Sequence, residues 1–436
     1  MKIIKRITIL FLLLFIILPL VPSCDGNEDL PKETVEQTTT LQADTTQAQP
    51  ENAVIFKDNT SNYTVVRSDT ANNTIVDFVA EFRIRLCSMG NCDIGIGSDY
   101  ISPKQTYDPA SYEILVGETI REESIKLYED LSDIGFIIRV NGNKLLVGGT
   151  DEYMIYCAIG YILNNLIEQD DNSKASLVLS NDYEYISGSD ISAPTPEDVI
   201  ESGKAYAMYP IEKVINLSGV GSYTVLEGGG TDGTYAYYAF LNNTTDTAVI
   251  TKIDIATWTV VKTSEQLDTG HTNDITYNPK LGLLVVNNSN DSWCGVSYID
   301  PVTLTETEYR VNTISSRGIS YIEETDQYVL GGVYDFYITD SQFNLQKQFT
   351  CGNPQYTTQG LYCDGTYIYD VRYATANGTN YITINNVNGT YAGTATLDGV
   401  SGEPENIFRD GNDFYIAYNK SFVVYRSIIL PTSWWE

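Results

Sequence analysis

The chain has 436 residues, too many for one ordinary domain, so two folded domains are expected. Its 57 acidic and 26 basic side chains give a formal net charge of −31. Such a field repels polyphosphates and anionic lipid headgroups, which argues against a nucleic-acid partner and against electrostatic attachment to a membrane.

The first element is an export signal. Lys2, Lys5 and Arg6 form a basic start, and residues 7–21 are almost uninterrupted apolar sequence, too short for a comfortable span. Leu20, Val21, Pro22, Ser23 and Cys24 follow, and they resemble a lipobox, with Pro22 its unusual member. A small residue before the cysteine admits the signal peptidase, and the Cys24 thiol takes a diacylglycerol. Residues 1–23 are therefore expected to be a lipoprotein signal peptide, with Cys24 the lipidation site. An ordinary signal peptide or an uncleaved anchor is the alternative. The expected address is the extracytoplasmic face of the cell membrane, held by lipid. Residues 24–52 are rich in Thr, Gln, Asp, Glu and Pro and nearly free of large apolar side chains. They cannot bury enough surface to offset their ordering entropy and read as a disordered tether.

Residues 53–187 alternate strand and helix signals. Residues 53–57 and 63–67 read as a first strand pair. Residues 70–86 have helical spacing, with Ile75, Phe78, Val79 and Phe82 on one face. A short strand is expected at 112–116. Thr119 stands where it can cap a helix over 121–131. Asn141, Gly142 and Asn143 mark a hairpin between strands 136–140 and 144–147. A helix over 151–167 and a strand at 177–179 complete the unit. The segments 113–119 (EILVGET), 121–124 (REES), 135–143 (GFIIRVNGN) and 146–150 (LVGGT) resemble the α/β domain that precedes the catalytic barrel in α-glucuronidases and β-hexosaminidases. Ile120 departs from that pattern, where an asparagine is expected. In those enzymes the chemistry belongs to the barrel. No barrel follows here, so the resemblance implies an accessory domain without catalytic residues.

Residues 188–205, with clustered Ser, Asp, Gly and Pro, read as a linker. Residues 206–436 then change character: Tyr, Thr, Asn and Gly dominate and helical periodicity disappears. A turn followed by an aromatic or branched strand recurs at 232–237, 280–286, 325–330, 364–369 and 410–415. A strand–turn–strand piece recurs at 253–258, 299–304 and 338–343, and more loosely at 382–397. The spacing of roughly 40–45 residues suits propeller blades. The fold expected is multi-domain: a small α/β accessory domain followed by an all-β five-bladed β-propeller. The last unit lacks an outer strand, which residues 214–217 can supply to close the ring. An open sandwich or a six-bladed ring with one degenerate blade is the alternative.

Aligning the apolar positions Ile275, Ile319, Leu361 and Ile407 brings Asn273, Arg317, Gln359 and Glu405 to equivalent places, with Glu227 the expected fifth member and His271 just upstream. The following residues Asp274, Gly318, Gly360 and Asn406 also align, and the two glycines are expected to keep the entrance open. These amide, guanidinium and carboxylate groups suit the hydroxyls of a sugar, and Tyr277, Tyr321, Tyr356 and Tyr362 can offer faces to its C–H groups. Channel groups that satisfy one another and trapped water explain the same residues without a ligand. A glycosidase needs two carboxylates; Asp274, Glu403 and Glu405 are candidates, with His271 as a proton relay.

No CxxC pair occurs and His271 is the only histidine, so a Cys/His zinc site is not expected. The Asp-Gly pairs at Asp232, Asp364 and Asp410 lack the alternating oxygens of a calcium loop and read as turns. No cofactor is implied. Cys87 and Cys92 are close enough to bridge or to remain free thiols. Two function classes follow: a surface-tethered, non-catalytic lipoprotein that binds a glycan or glycoconjugate, and a polysaccharide hydrolase or lyase working at the propeller face. A protein-docking adhesin or scaffold is the third alternative.

Overall fold

The computed structural model describes residues 52–432, apart from 105, 132–134, 171–172, 189–193, 290–293, 354–355, 374–379, 398–399 and 401. Cys24, the expected signal peptide and nearly all of the expected tether lie outside these residues. The described chain is mostly β and propeller-like. No helix among the described residues is long and apolar enough to cross a membrane. The six cysteines after Cys24 carry free thiols.

Residues 52–187 carry a six-stranded sheet. Its order is Gly95–Ser98, Thr64–Arg67, Glu113–Val116, Lys144–Gly149, Phe136–Asn141 and Glu184–Ile186. The first four strands are parallel. Alternation along Glu113–Val116 sends Ile114 and Val116 to one core and Leu115 to the other. Helices α1 (Asn73–Gly90) and α3 (Glu152–Tyr161) cover the first face through Phe78, Val79, Phe82, Ile155 and Ile159. Helix α2 (Glu122–Asp130) covers the other through Leu127.

Local details differ from the sequence expectation. Strand Asn52–Phe56 pairs with Ala175–Ser180, not with Thr64–Arg67. That partner is more than 100 residues away, beyond the reach of local pattern. Thr119 does not cap α2: the N-cap is Arg121, without a side-chain bond, while the Thr119 hydroxyl accepts from the Arg121 N–H at 3.3 Å. Helix α3 stops at Tyr161, and one π-helical turn, Ile162–Leu166, continues it.

The expected linker contains helix α4 (Pro196–Glu201), started by a capping box between Thr195 and Asp198. The regions on either side of it share a core. Leu430 belongs to the α1–α3 cluster, with Tyr209 and Ile428 packed against it. Phe78 and Tyr209 meet ring to ring at 5.7 Å, and Thr74 donates to the Pro210 carbonyl at 2.7 Å.

Five four-stranded groups follow. Sheet I comprises Val225–Thr231, Tyr235–Asn242, Thr247–Asp254 and Thr259–Thr263. Sheet II comprises Asp274–Asn278, Leu283–Ser289, Cys294–Ile299 and Glu306–Val311. Sheet III comprises Gly318–Ile322, Gln327–Gly331, Asp335–Asp340 and Leu345–Thr350. Sheet IV comprises Thr357–Cys363, Tyr367–Tyr373, Asn380–Asn386 and Tyr391–Leu397. Group V comprises Glu403–Asp410, Asp413–Asn419, Val423–Pro431 and, as its outer strand, Tyr206–Asn216. That outer strand arrives from upstream of sheet I and pairs antiparallel from Tyr206↔Pro431 to Asn216↔Val423. It also makes a short parallel pairing to sheet IV at Ala207↔Thr396, which joins the last two groups. Each first strand lies beside the next, and that of group V lies beside that of sheet I.

The repeated turns have a clear physical basis. Trp258, Leu304 and Phe343 end equivalent turns in left-handed backbone, at φ 49°, 57° and 61°. The turns are fixed by Asp254, Asp300 and Asp340, whose carboxylates accept from the N–H groups of Thr257, Thr303 and Asn344 at 2.7–3.0 Å. The strained residue is held because its side chain is a wedge between neighbours: Trp258 lies 5.0 Å from Tyr415 and Phe343 stacks on Tyr328 at 4.7 Å. The Asp232 and Asp364 carboxylates are likewise engaged by two N–H groups of their own turns and by a tyrosine hydroxyl, Tyr237 or Tyr369.

Candidate binding mouth

The five first strands line a channel, and at one end those of sheets I and IV and of group V carry an irregularity that re-aims a side chain. In sheet IV, Thr358↔Arg372 is followed by Gly360↔Val371, which leaves Gln359 as the bulged residue. In group V, Pro404↔Tyr418 is followed by Asn406↔Ala417, which leaves Glu405. Asn273 and Arg317 immediately precede their strands and donate their N–H groups to Asn287 and Gly331 carbonyls at 2.9 and 2.7 Å. In sheet I the bulge holds both Glu227 and Gly228. An added Cβ at Gly228 would sit 2.3 Å from the Cα of Asp274, so that position has no room for a side chain. Glu227 carries the fifth functional group instead.

Several of these groups meet. The Glu227 carboxylate lies 3.4 Å from His271 Nε2. Gln359 Nε2 donates to Glu403 at 2.5 Å. Asn273 is partly engaged at home, because its Oδ1 accepts from the Ser289 N–H at 2.8 Å. Glu405 is only 4% exposed. Burial, then the nearby Glu227 and Glu403 carboxylates, push its carboxyl well above the usual carboxylate range; the Asn419 side chain acts the other way. Burial and Glu227 also push Glu403 up. The hydrogen bond to Glu227 raises the proton affinity of His271, with burial and Arg317 opposing. The mouth thus holds three carboxylates in one electrostatic cluster, with His271 bonded to one of them and Arg317 exposed beside it. Asn419, on the second strand of group V, is a contributor with no signal in the repeat alignment.

Asp274 is not a mouth residue. The next row along the channel is Gly229, Asp274, Gly318, Gly360 and Asn406, and Asp274 is fully buried there. One carboxylate oxygen accepts from its own strand at Ile275 (2.9 Å); the other accepts from Ile319 and Leu361 at 3.0 Å each. Gly229 supplies a fourth backbone donor. Burial pushes the Asp274 carboxyl up and these donors pull it down; with four N–H groups converging on two oxygens, the anion is the form the geometry accommodates. The side chain ties four first strands together and plugs the channel, so the catalytic role expected of it has no access to substrate. The glycines of this row do not keep an entrance open: an added Cβ at Gly360 would lie 2.7 Å from the Cα of Asn406.

The tyrosines are divided as well. Tyr356 packs near Tyr381 on the mouth side, whereas Tyr277, Tyr321 and Tyr362 line a pocket at the opposite end of the channel. Among the described residues, no group of three or more His, Cys, Asp or Glu side chains is arranged to hold a metal ion.

No protein-family model and no curated protein matches the sequence. Solved structures with similar folds include Myxococcus xanthus glutaminyl cyclase, at 9% identity and TM-score 0.40 over 53% of this chain and 99% of that one. Kuenenia stuttgartiensis hydrazine synthase is similar at 12% identity and TM-score 0.31, over 50% of this chain and 65% of that one. A chain of the nidogen/laminin complex is similar at 13% identity and TM-score 0.33, over 50% and 86% respectively. At these TM-scores and identities the likenesses carry no argument about activity or relationship.

Proposed function

We propose that this protein is a surface-anchored, non-catalytic lipoprotein that binds a glycan or glycoconjugate at the mouth formed by Glu227, His271, Arg317, Gln359, Glu403 and Glu405. In this reading residues 53–187 are an accessory domain of the α-glucuronidase and β-hexosaminidase type, and the five groups are the blades of a five-bladed propeller. The observation that carries it is the carboxylate cluster, whose three members are held close enough to raise the pKa of Glu403 and Glu405. Such a cluster is costly when empty and is relieved by a ligand that donates hydrogen bonds, as sugar hydroxyls do. Arg317, the cation of this mouth, and His271 orient the ligand rather than neutralise the site.

The full chain in detergent should retain a restricted set of neutral glycans on an array. Arg317→Ala should weaken the best of them by roughly 1–3 kcal/mol, because a charged hydrogen bond is lost, without shifting the melting temperature. An array without a hit, or undiminished binding by the variant, removes this reading. The anchor is tested separately: Cys24→Ala should abolish incorporation of a labelled fatty acid and either release mature protein from the membrane fraction or leave the precursor uncleaved. Labelled, membrane-retained variant protein is the contrary result.

One observation favours a polysaccharide hydrolase or lyase instead. Glu405 is a buried carboxyl whose proton is held by burial beside Glu227 and Glu403, the environment of a general acid. Under that reading Glu405→Gln abolishes turnover while sparing binding.

A further inference from the structure

We infer that the opposite end of the channel is a second, blind binding well, built for a small ring that bears hydroxyl and amine donors, such as an amino sugar. The well encloses about 240 Å³. Its floor is a single row drawn from all five first strands: Gly230, Ile275, Ile319, Leu361 and Ile407. Immediately beneath that floor lies the row pinned by Asp274, whose carboxylate binds the Ile319 and Leu361 N–H groups at 3.0 Å. A ligand in the well therefore has no passage to the mouth, and the two ends are separate sites.

The lining dictates the chemistry. The side chains of Ile275, Ile319, Leu361 and Ile407 turn into the cores between sheets, so the floor is their backbone, and it is the rings of Tyr277, Tyr321 and Tyr362 that suit the C–H face of a saturated ring. The two charged residues that line it, Asp232 and Glu323, are acceptors only; Asp232 already accepts from the Thr234 and Tyr235 N–H groups and the Tyr237 hydroxyl, so Glu323 is the chief acceptor left for a ligand, and neither Lys nor Arg lines it. Arg409 lies near Tyr362, but it is engaged by the carboxylates of Glu197 and Asp364. Lys280, next to the lining residue Pro279, is paired with Asp326 at 3.7 Å. The wall hydroxyls are fixed in place: Thr276 accepts from the Tyr321 N–H at 3.1 Å and Ser320 from the Cys363 N–H at 2.9 Å. Each hydroxyl oxygen thus accepts from an N–H of a neighbouring strand and keeps its O–H to donate. A rim that carries carboxylates and no cation, beside aromatic walls, favours an uncharged or cationic ring with donors and disfavours an anionic one. The volume lies below the roughly 300–1,000 Å³ of drug-sized sites, which restricts the occupant to about one ring.

The experiment uses three probes of one ring each, glucosamine, N-acetylglucosamine and glucuronate, titrated into the full chain in detergent and read by saturation-transfer NMR from the aromatic protons. Glucosamine should bind most tightly and glucuronate not at all. Glu323 is exposed, so Glu323→Lys should fold normally and weaken glucosamine at least tenfold, and Tyr277→Ala should weaken both amine and acetamide probes. The inference is overturned if glucosamine does not bind, if glucuronate binds as well as glucosamine, or if Glu323→Lys leaves the affinity unchanged. Binding that is lost in Arg317→Ala assigns the probe to the mouth and equally overturns the well.

Discussion

Asp274→Ala is expected to abolish folding of the propeller-like region or to lower its melting temperature further than any other single change at the channel. The carboxylate is buried and accepts from Ile275, Ile319, Leu361 and Gly229, so it serves four of the five first strands at once. Truncation leaves those N–H groups buried without a partner, at roughly 1–3 kcal/mol each. Removing one buried charge offsets part of that loss. The remainder is still comparable with the whole stability of a typical domain, about 5–15 kcal/mol. Asp274→Asn keeps the shape but turns an –NH₂ group toward backbone donors, and it should fall between alanine and the parent. Circular dichroism melting of the three proteins, all expressed as the full chain, measures the order. An alanine variant that melts within a few degrees of the parent would mean that the strands close around the axis without this pin.

The same residue marks how far the sequence could be read. The repeat was legible because each group uses the same turns, and because Trp258, Leu304 and Phe343 end equivalent segments as wedges between neighbours. The equivalence of Asn273, Arg317, Gln359 and Glu405 was legible because each stands two residues before an apolar floor residue. Direction and depth were not. Asn273 and Tyr277 are four residues apart, about 13 Å of strand, which is enough to carry the chain from one end of the channel to the other. Aromatic and ring residues that looked neighbourly in sequence therefore face opposite ends. One step along the chain, from Asn273 just before its strand to Asp274 at the strand's start, exchanges a mouth residue for a fully buried pin, and local pattern does not tell which is which. Sheet I adds a further offset. The position equivalent to Asn273 is Gly228, emptied by the close approach of Asp274, and Glu227 takes over its part. The pairing of Asn52–Phe56 with Ala175–Ser180 was out of reach for a different reason: nothing local encodes a partner so distant in the chain.

Arg372→Leu is the second large effect expected, and it carries a pH signature. Arg372 and Asp370 are an ion pair with no exposed side-chain surface, 2.6 Å apart. Asp370 also accepts from the Thr383 hydroxyl at 3.1 Å, and Arg372 donates to the carbonyls of Val333 and Tyr356 at 3.2 and 2.8 Å. The guanidinium thus bonds sheet IV to a hairpin turn of sheet III and to the chain that joins the two sheets. Loss of the cation strands a buried carboxylate, which costs roughly 3–5 kcal/mol. Burial already pushes the Asp370 carboxyl up, with Arg372 the chief opposing influence, so the variant should raise it further. A folded-state pKa above the unfolded one adds stability at low pH and loses it as pH rises through the folded value. The difference in stability between parent and Arg372→Leu should therefore be greatest at neutral pH and shrink as the solution is acidified. Asp370→Leu combined with Arg372→Leu removes both charges and should recover part of the loss, though Val333 and Tyr356 remain without their donor. Urea denaturation of the two single variants and the double variant, at neutral and at mildly acidic pH, completes the cycle. Additive losses in the double variant, or a penalty for Arg372→Leu that does not change with pH, would show that the pair contributes shape rather than charge compensation.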